Sequence, residues 1–120
     1  MAVSVDASGT ITSTTSGDTL RTATAAASYE FHVDVNAHTT AETVVVRMQE
    51  NVLSGGTVRS IEELTVTTAT TPAIKKLGPY ALDQGVTVTL TRTGGSARAY
   101  PWKLLRLSVL LPALLGGLVG

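Results

Sequence analysis

Apolar and polar side chains alternate along several short stretches of the chain. The clearest stretch covers residues 29–36, where the apolar side chains are Tyr29, Phe31, Val33 and Val35 and the polar ones are Glu30, His32, Asp34 and Asn36. Residues two apart point to the same face of a strand, whereas a helix would scatter them around its circumference. The pattern therefore predicts a half-buried strand.

Four further stretches have strand character. Residues 86–93 alternate valine or leucine with threonine, and residues 43–49 hold a β-branched run typical of a central strand. Residues 57–67 alternate with Ile61 out of phase, which predicts a bend or bulge near Glu62 and Glu63. In residues 97–107, Pro101 cannot donate a backbone hydrogen bond, so we expect an edge position or a bulge there.

Glycine, proline and small polar residues separate these stretches. Residues 51–56 and 94–96 read as hairpin loops, and residues 67–72 and 77–79 as turns or linkers. Residues 1–27 are rich in Ser, Thr and Ala, which favours either weak edge strands or a flexible lead-in. Short, regularly spaced strands predict an all-β fold, an antiparallel β-sandwich or jelly-roll-like domain with its core in residues 28–107.

The C-terminal segment, residues 108–120, is apolar and carries no charge. It is too short for a membrane span, which needs about 20 apolar residues, and the N-terminus does not have the pattern of a secretory signal. The segment packs either in the domain's own core or on a partner. We hypothesise an apolar arm that packs on another subunit, with Trp102, Leu104 and Arg106 at its root and the contacts made by Leu110, Leu111, Leu114, Leu115 and Leu118.

Composition adds two constraints. The chain has 120 residues and no cysteine, so disulfides, thiolate metal sites and a thiol nucleophile are excluded. Its net charge is zero but unevenly spread: three basic residues stand against eight acidic ones in residues 1–72, a net −5, and six against one in residues 73–120, a net +5. Folding either interleaves the two halves or leaves an acidic and a basic patch that could meet on neighbouring molecules.

The search for catalytic motifs finds none, so we expect no enzyme activity and no cofactor. His32, Asp34 and His38 have side chains that suit a divalent metal, but no further ligand is indicated, and an ordinary polar strand face is the favoured interpretation. Glu62 and Glu63 are adjacent and point to opposite faces of a strand, so they cannot act on one bond. A stacking surface for nucleic acid, made from Arg92, Arg98, Lys103, Arg106, Tyr100 and Trp102, is disfavoured by the zero net charge and few aromatic residues.

Residues 29–107 resemble small structural proteins of tailed bacteriophages. The resemblance is carried by residues 29–35, by residues 43–47 with 52–57, and by residues 88–100. It implies a virion component without enzymatic activity: a decoration or minor capsid protein first, a tail or neck component next. The implied partners are the major capsid protein, other virion proteins and further copies of the chain, with no nucleic acid or membrane.

A competing class is a carbohydrate-binding or adhesive surface domain, which is also a β-sandwich. That class needs an exposed aromatic platform, which only Trp102 and the three tyrosines could supply. The two classes are therefore distinguished by whether these aromatic side chains reach the surface.

Overall fold

Eight strands form two antiparallel four-stranded sheets in the computed structural model, which describes residues 2–38, 42–67 and 72–108. In chain order the strands are β1 (Ala2–Thr12), β2 (Asp18–Ala23), β3 (Ala27–Asp34), β4 (Thr43–Glu50), β5 (Arg59–Val66), β6 (Ile74–Leu82), β7 (Val86–Gly94) and β8 (Ala99–Ser108). One sheet, sheet A, has the order β1-β8-β3-β6, and the other, sheet B, has the order β2-β7-β4-β5. The predicted antiparallel β-sandwich is confirmed.

The core lies between the two central pairs of strands. β3 and β7 bury the side chains that their alternation predicts, and Tyr29, Phe31 and Leu90 are fully buried. β4 lies between β5 and β7, so the predicted central strand is confirmed, and its outward Val45 is only 8% exposed. Each such aliphatic or aromatic side chain stabilises the fold by about 1.5–3 kcal/mol.

β8 is an internal strand, so the expectation of an edge or a bulge at Pro101 is wrong for the strand as a whole. β1 pairs with β8 without a register shift at Pro101, which lies opposite Thr10. β3 pairs with β8 only from Trp102 onward. At Pro101 the strand has a neighbour on one side only, and this is where a missing N–H can be tolerated.

Residues 77–79 do not form the predicted turn, because β6 continues through them. The register with β3 shifts between Tyr29 and Phe31, so the glycine and proline occupy a bulge in an edge strand. Gly78 has a φ of 90°, and a Cβ there would lie 2.8 Å from the Tyr29 carbonyl oxygen. The bend or bulge predicted near Glu62 and Glu63 is confirmed, because Ile61 has no partner in the register of β4 and β5.

Strands β1 and β2 come from residues 1–27 and form one edge of each sheet. β1 pairs with β8 and β2 pairs with β7, and both have a register shift. Their side chains are mostly half-buried or exposed. The N-terminal segment thus forms edge strands, the first of the two alternatives that its composition allowed.

The loops of the sandwich lie at two opposite ends. The tail end, where β1 begins and β8 ends, carries the loops of residues 24–26, 51–58 and 83–85. The opposite end, which we call the cluster end, carries the loops that include residues 13–17, 35–38 and 95–98.

A polar contact joins the two sheets at each side. At the β1/β2 side, Arg21 of β2 donates to Asp6 of β1 at 2.7 Å. At the β5/β6 side, Glu62 of β5 accepts hydrogen bonds from the Tyr80 hydroxyl at 2.8 Å and the Gly78 amide at 3.0 Å, both on β6. These contacts cover the flanks of the core where apolar packing ends.

In sheet A, acidic and basic strands alternate. The acidic β3 lies between β6, which carries Lys75 and Lys76, and β8, which carries Lys103 and Arg106. In addition, Arg98 from the basic half of the chain forms an ion pair with Glu42 from the acidic half. Folding therefore interleaves the acidic and basic halves, the first of the two expectations.

Replacing Tyr80 by phenylalanine tests the contact at the β5/β6 side. Tyr80→Phe removes one of the two hydrogen bonds that Glu62 accepts, and we expect a loss of about 1 kcal/mol in the free energy of unfolding, measured by urea denaturation. Glu63→Gln is the control, since Glu63 pairs with Arg47 on the exposed outer face and its loss should change stability by less than about 0.5 kcal/mol. Equal stabilities of the Tyr80 variant and the wild type would contradict the role given to this contact.

Candidate assembly surfaces

A buried polar cluster lies at the cluster end. The His38 ring and the Tyr100 hydroxyl share a hydrogen bond of 2.8 Å between Nδ1 and the oxygen, and both side chains are buried. The Nε2 atom of His38 has no hydrogen-bond partner. Burial, followed by the charge of Glu42, raises the pKa of Tyr100.

Glu42 and Arg98 form the charged part of this cluster. Glu42 is fully buried, and Arg98 donates to its carboxylate from Nε at 2.9 Å and from Nη2 at 3.4 Å. Hydrogen bonding to Glu42 raises the pKa of Arg98, so the guanidinium stays charged. Two hydrogen bonds join the backbone of Arg98 to Ser13, which links the β1–β2 and β7–β8 connections.

This cluster holds together the loops of the cluster end. Arg98 pairs with the carboxylate of Glu42, and among the described residues the His38 ring faces the Tyr100 hydroxyl and no activated nucleophile. Sequence reasoning missed Glu42, because its partner lies 56 residues away along the chain.

The three candidate metal ligands do not converge. His32 pairs with Glu30 through Nε2 on the outer face of sheet A, whereas His38 is buried against Tyr100 at the cluster end. Among the described residues, no three His, Asp or Glu side chains are grouped as a metal site.

None of the aromatic side chains is exposed. Tyr29, Phe31 and Tyr100 are fully buried. Tyr80 and Trp102 are half-buried, and Trp102 stacks on Phe31 with ring centroids 6.1 Å apart. The chain therefore presents no flat aromatic platform for stacking on a sugar or a base.

Shallow grooves open on the surface, and two of them border the surfaces described below. One, of about 370 Å³, lies on sheet A near the cluster end and is lined in part by His32, Asp34, Trp102 and Lys103. The other, of about 460 Å³, lies beside the β4–β5 loop. Val52 and Leu53 contribute to its lining.

The proposed root of the arm lies largely in the domain's own core. Leu104 is fully buried, Trp102 packs on Phe31, and Arg106 is half-buried opposite Tyr29. The other five predicted contact residues, Leu110, Leu111, Leu114, Leu115 and Leu118, lie outside the described residues, so the arm stays a prediction.

Two valines of β1 and two leucines of β8 form an apolar surface at the tail end. Val3 lies opposite Leu107 and Val5 opposite Leu105 on the outer face of sheet A. Val3 is 59% exposed and Val5 is 58% exposed, while the two leucines are half-buried. We call these four residues the tail-end patch.

Most of the exposed apolar side chains share this end. Of the six large ones exposed in the described part of the chain, Val3 and Val5 lie in the patch, and Val52, Leu53 and Val58 lie in the β4–β5 loop. Only Ile74 lies at the other end. The described residues contain no helix that could cross a membrane.

The four edge strands differ in how open they are to a further strand. β1 contains no proline and one charged residue, Asp6, which is already paired with Arg21. In β6, the Gly78 amide donates to Glu62 and Pro79 has no amide hydrogen, so its middle cannot donate to a neighbour. β2 and β5 contain no proline.

Comparison with known proteins shows a likeness of fold. No protein-family model matches the chain, and neither does any curated protein sequence. A solved structure described by the words "Bacillus endospore appendages form a novel family of disulfide-linked pili" is similar with a TM-score of 0.56 and 14% sequence identity, over 90% of this chain and 89% of that chain. At this identity the likeness shows the β-sandwich architecture.

The raised pKa of Tyr100 makes its contribution to stability depend on pH. A folded-state pKa above the ordinary value of 10.0 means that this contribution is complete below pH 10 and is lost as the pH rises through the folded-state value. We expect Tyr100→Phe to lower the free energy of unfolding at pH 8 by about 1–3 kcal/mol, because it removes the partner of the buried His38. The variant should then lose less stability than the wild type between pH 8 and pH 10.5, measured by urea denaturation at each pH. Equal losses in the two proteins would contradict the prediction.

Proposed function

We propose that this protein is a non-catalytic structural subunit that assembles with further copies of itself through the edges of its two sheets. The observation that carries the proposal is the direction of the edge strands. β1 runs from the tail end to the cluster end and β6 runs the opposite way. In sheet B, β5 runs from the tail end and β2 runs towards it.

If copies stand side by side in the same orientation, each sheet of one copy can therefore continue into the corresponding edge strand of the next. The β5/β6 side of one copy meets the β1/β2 side of the next, so β6 lies antiparallel to β1 and β5 lies antiparallel to β2. Such a contact joins two different surfaces and does not close on itself, so it produces an extended row of subunits. The β5–β2 seam would be continuous, while the β6–β1 seam would be interrupted at Pro79.

The contact between copies uses no disulfide. The protein of similar fold belongs to pili described as disulfide-linked, and this chain has no cysteine with which to form such links. Backbone hydrogen bonds and outer-face packing would hold the row, with many weak contacts adding to a strong attachment.

Two settings are compatible with this role. The fold likeness to an appendage protein favours an extracellular assembled structure. The resemblance of residues 29–107 to phage structural proteins favours a virion, as a decoration or minor capsid protein on a major capsid protein, or as a tail or neck component. Self-assembly of the purified chain without other proteins would favour the first setting. Binding to particles without self-assembly would favour the second and contradict edge-to-edge pairing.

The carbohydrate-binding alternative has weak support, since no aromatic side chain is fully exposed and Trp102, which lines the groove on sheet A, is half-buried and stacked on Phe31. The proposal therefore does not extend to sugar recognition.

Lysines on the two edges of sheet B test the proposed seam. Thr22 of β2 and Ser60 of β5 are exposed on the outer face and lie at the same level of sheet B, since Thr22 pairs with Thr87, Thr87 with Gln49 and Gln49 with Ser60. The double variant Thr22→Lys/Ser60→Lys therefore places like charges opposite each other where β2 and β5 meet across the seam. Like charges on adjoining strands cost up to about 1 kcal/mol, so we expect the concentration needed for assembly to rise about fivefold in low salt. Sedimentation velocity and electron microscopy over a concentration series measure it.

The matched control adds the same charge away from the edges. Thr89→Lys/Thr93→Lys modifies β7, which lies between β2 and β4, and should assemble like the wild type. Equal effects of the two double variants, or a wild-type protein that stays monomeric at every concentration, would contradict the proposal.

A further inference from the structure

The tail end combines two features that point to one interface. Five of the six large apolar side chains exposed in the described residues lie there, and the chain leaves the sandwich at the same place, where Ser108 pairs with Ala2. The remaining twelve residues include seven valines and leucines and no charge. Their fully extended length is about 40 Å, enough to cross a neighbouring sandwich face.

The sequence of the tail favours departure from its own domain. Val109, Leu110 and Leu111 precede Pro112, and the residue before a proline prefers an extended conformation. Glycine, asparagine and aspartate, which favour tight turns, are absent until Gly116. A return onto the chain's own tail-end patch would require a reversal directly after Ser108, where these residues are missing.

We propose that two copies of this chain meet tail end to tail end about a two-fold axis, and that residues 109–120 of each copy cover the tail-end patch of the other. In this arrangement the extended tail continues in the direction of β8 and reaches first Val3 and Leu107 of the second copy, then Val5 and Leu105. The same patch and tail are used on both copies, as a two-fold contact requires.

The charges at this end are compatible with a two-fold contact. Glu50 and Arg59 lie opposite each other where β4 and β5 approach the loop, so both signs are present beside the exposed Val52 and Leu53. Covering the patch removes apolar area from water, at about 25 cal/mol per Å². The contact leaves β2, β5 and β6 uncovered and touches β1 only through the outer-face side chains of Val3 and Val5. The backbone edge of β1, which the side-by-side row uses, therefore stays open.

Cysteine cross-linking distinguishes a tail that packs on a second copy from one that packs on its own domain, and the cysteine-free chain suits it. Two single variants, Val5→Cys and Leu114→Cys, are mixed under mild oxidation in the background of Thr22→Lys/Ser60→Lys, which weakens the β5–β2 seam. We expect a disulfide-linked pair with the mass of one copy of each variant. The control mixture of Ile74→Cys with Leu114→Cys, placed at the opposite end, should form at least tenfold less.

Further variants complete the test. Val3→Thr/Val5→Thr changes exposed side chains to polar ones of the same shape and should weaken the two-copy species at least tenfold in sedimentation equilibrium, while Ile74→Thr should not. In the same lysine background, deleting residues 109–120 should give a folded monomer that still unfolds cooperatively on heating. The proposal is overturned if the mixture does not cross-link while one chain carrying both Val5→Cys and Leu114→Cys forms an internal disulfide. It is also overturned if the shortened chain unfolds or aggregates. A wild-type protein that forms the two-copy species but no rows would overturn the edge proposal alone.

Discussion

The structure depends on the burial of one face of each sheet against the other. Without cysteine or a grouped metal site among the described residues, the inward side chains of β3, β4, β7 and β8 must hold the two sheets together by apolar packing. Period-two alternation on these central strands places Phe31, Met48 and Leu90 in one layer. Because that packing needs neighbours on both sides, it weakens at the outer strands, and there hydrogen bonds and ion pairs replace it.

Each side of the sandwich is closed beside a bulge. Asp6 lies at the register shift of β1, and Arg21 at that of β2. On the other side, Gly78 lies in the bulge of β6 and gives its amide to Glu62. A bulge leaves a backbone group without a ladder partner and turns a side chain to a new direction, so the same irregularity allows the polar contact and limits further strand pairing. This limit acts on β6 more than on β1, which makes the two sides of the domain chemically unequal.

The sequence predicts the central strands well and the outer ones poorly, for a physical reason. A strand covered on one face must alternate, and residues 29–36 and 86–93 do so. β1 exposes most of its length, so its small and polar residues have no period to detect. Gly78 and Pro79 read as a turn because an internal strand would not accept them, but an edge strand does. The Glu42–Arg98 pair depends on loops that come together only after folding, so no local sequence pattern indicates it.

The same reasoning explains why the sequence indicates the candidate assembly surfaces only in part. The charge-free tail is visible in the sequence, but alternation in residues 97–107 does not reveal which of its two faces is covered by the other sheet. The structure puts Leu104 in the core and Leu105 and Leu107 on the outer face, beside valines from the start of the chain. An apolar surface made from both termini can form only once β1 has paired with β8. Folding would therefore precede any contact made through this patch, and an unfolded chain would present the apolar tail without its matching surface.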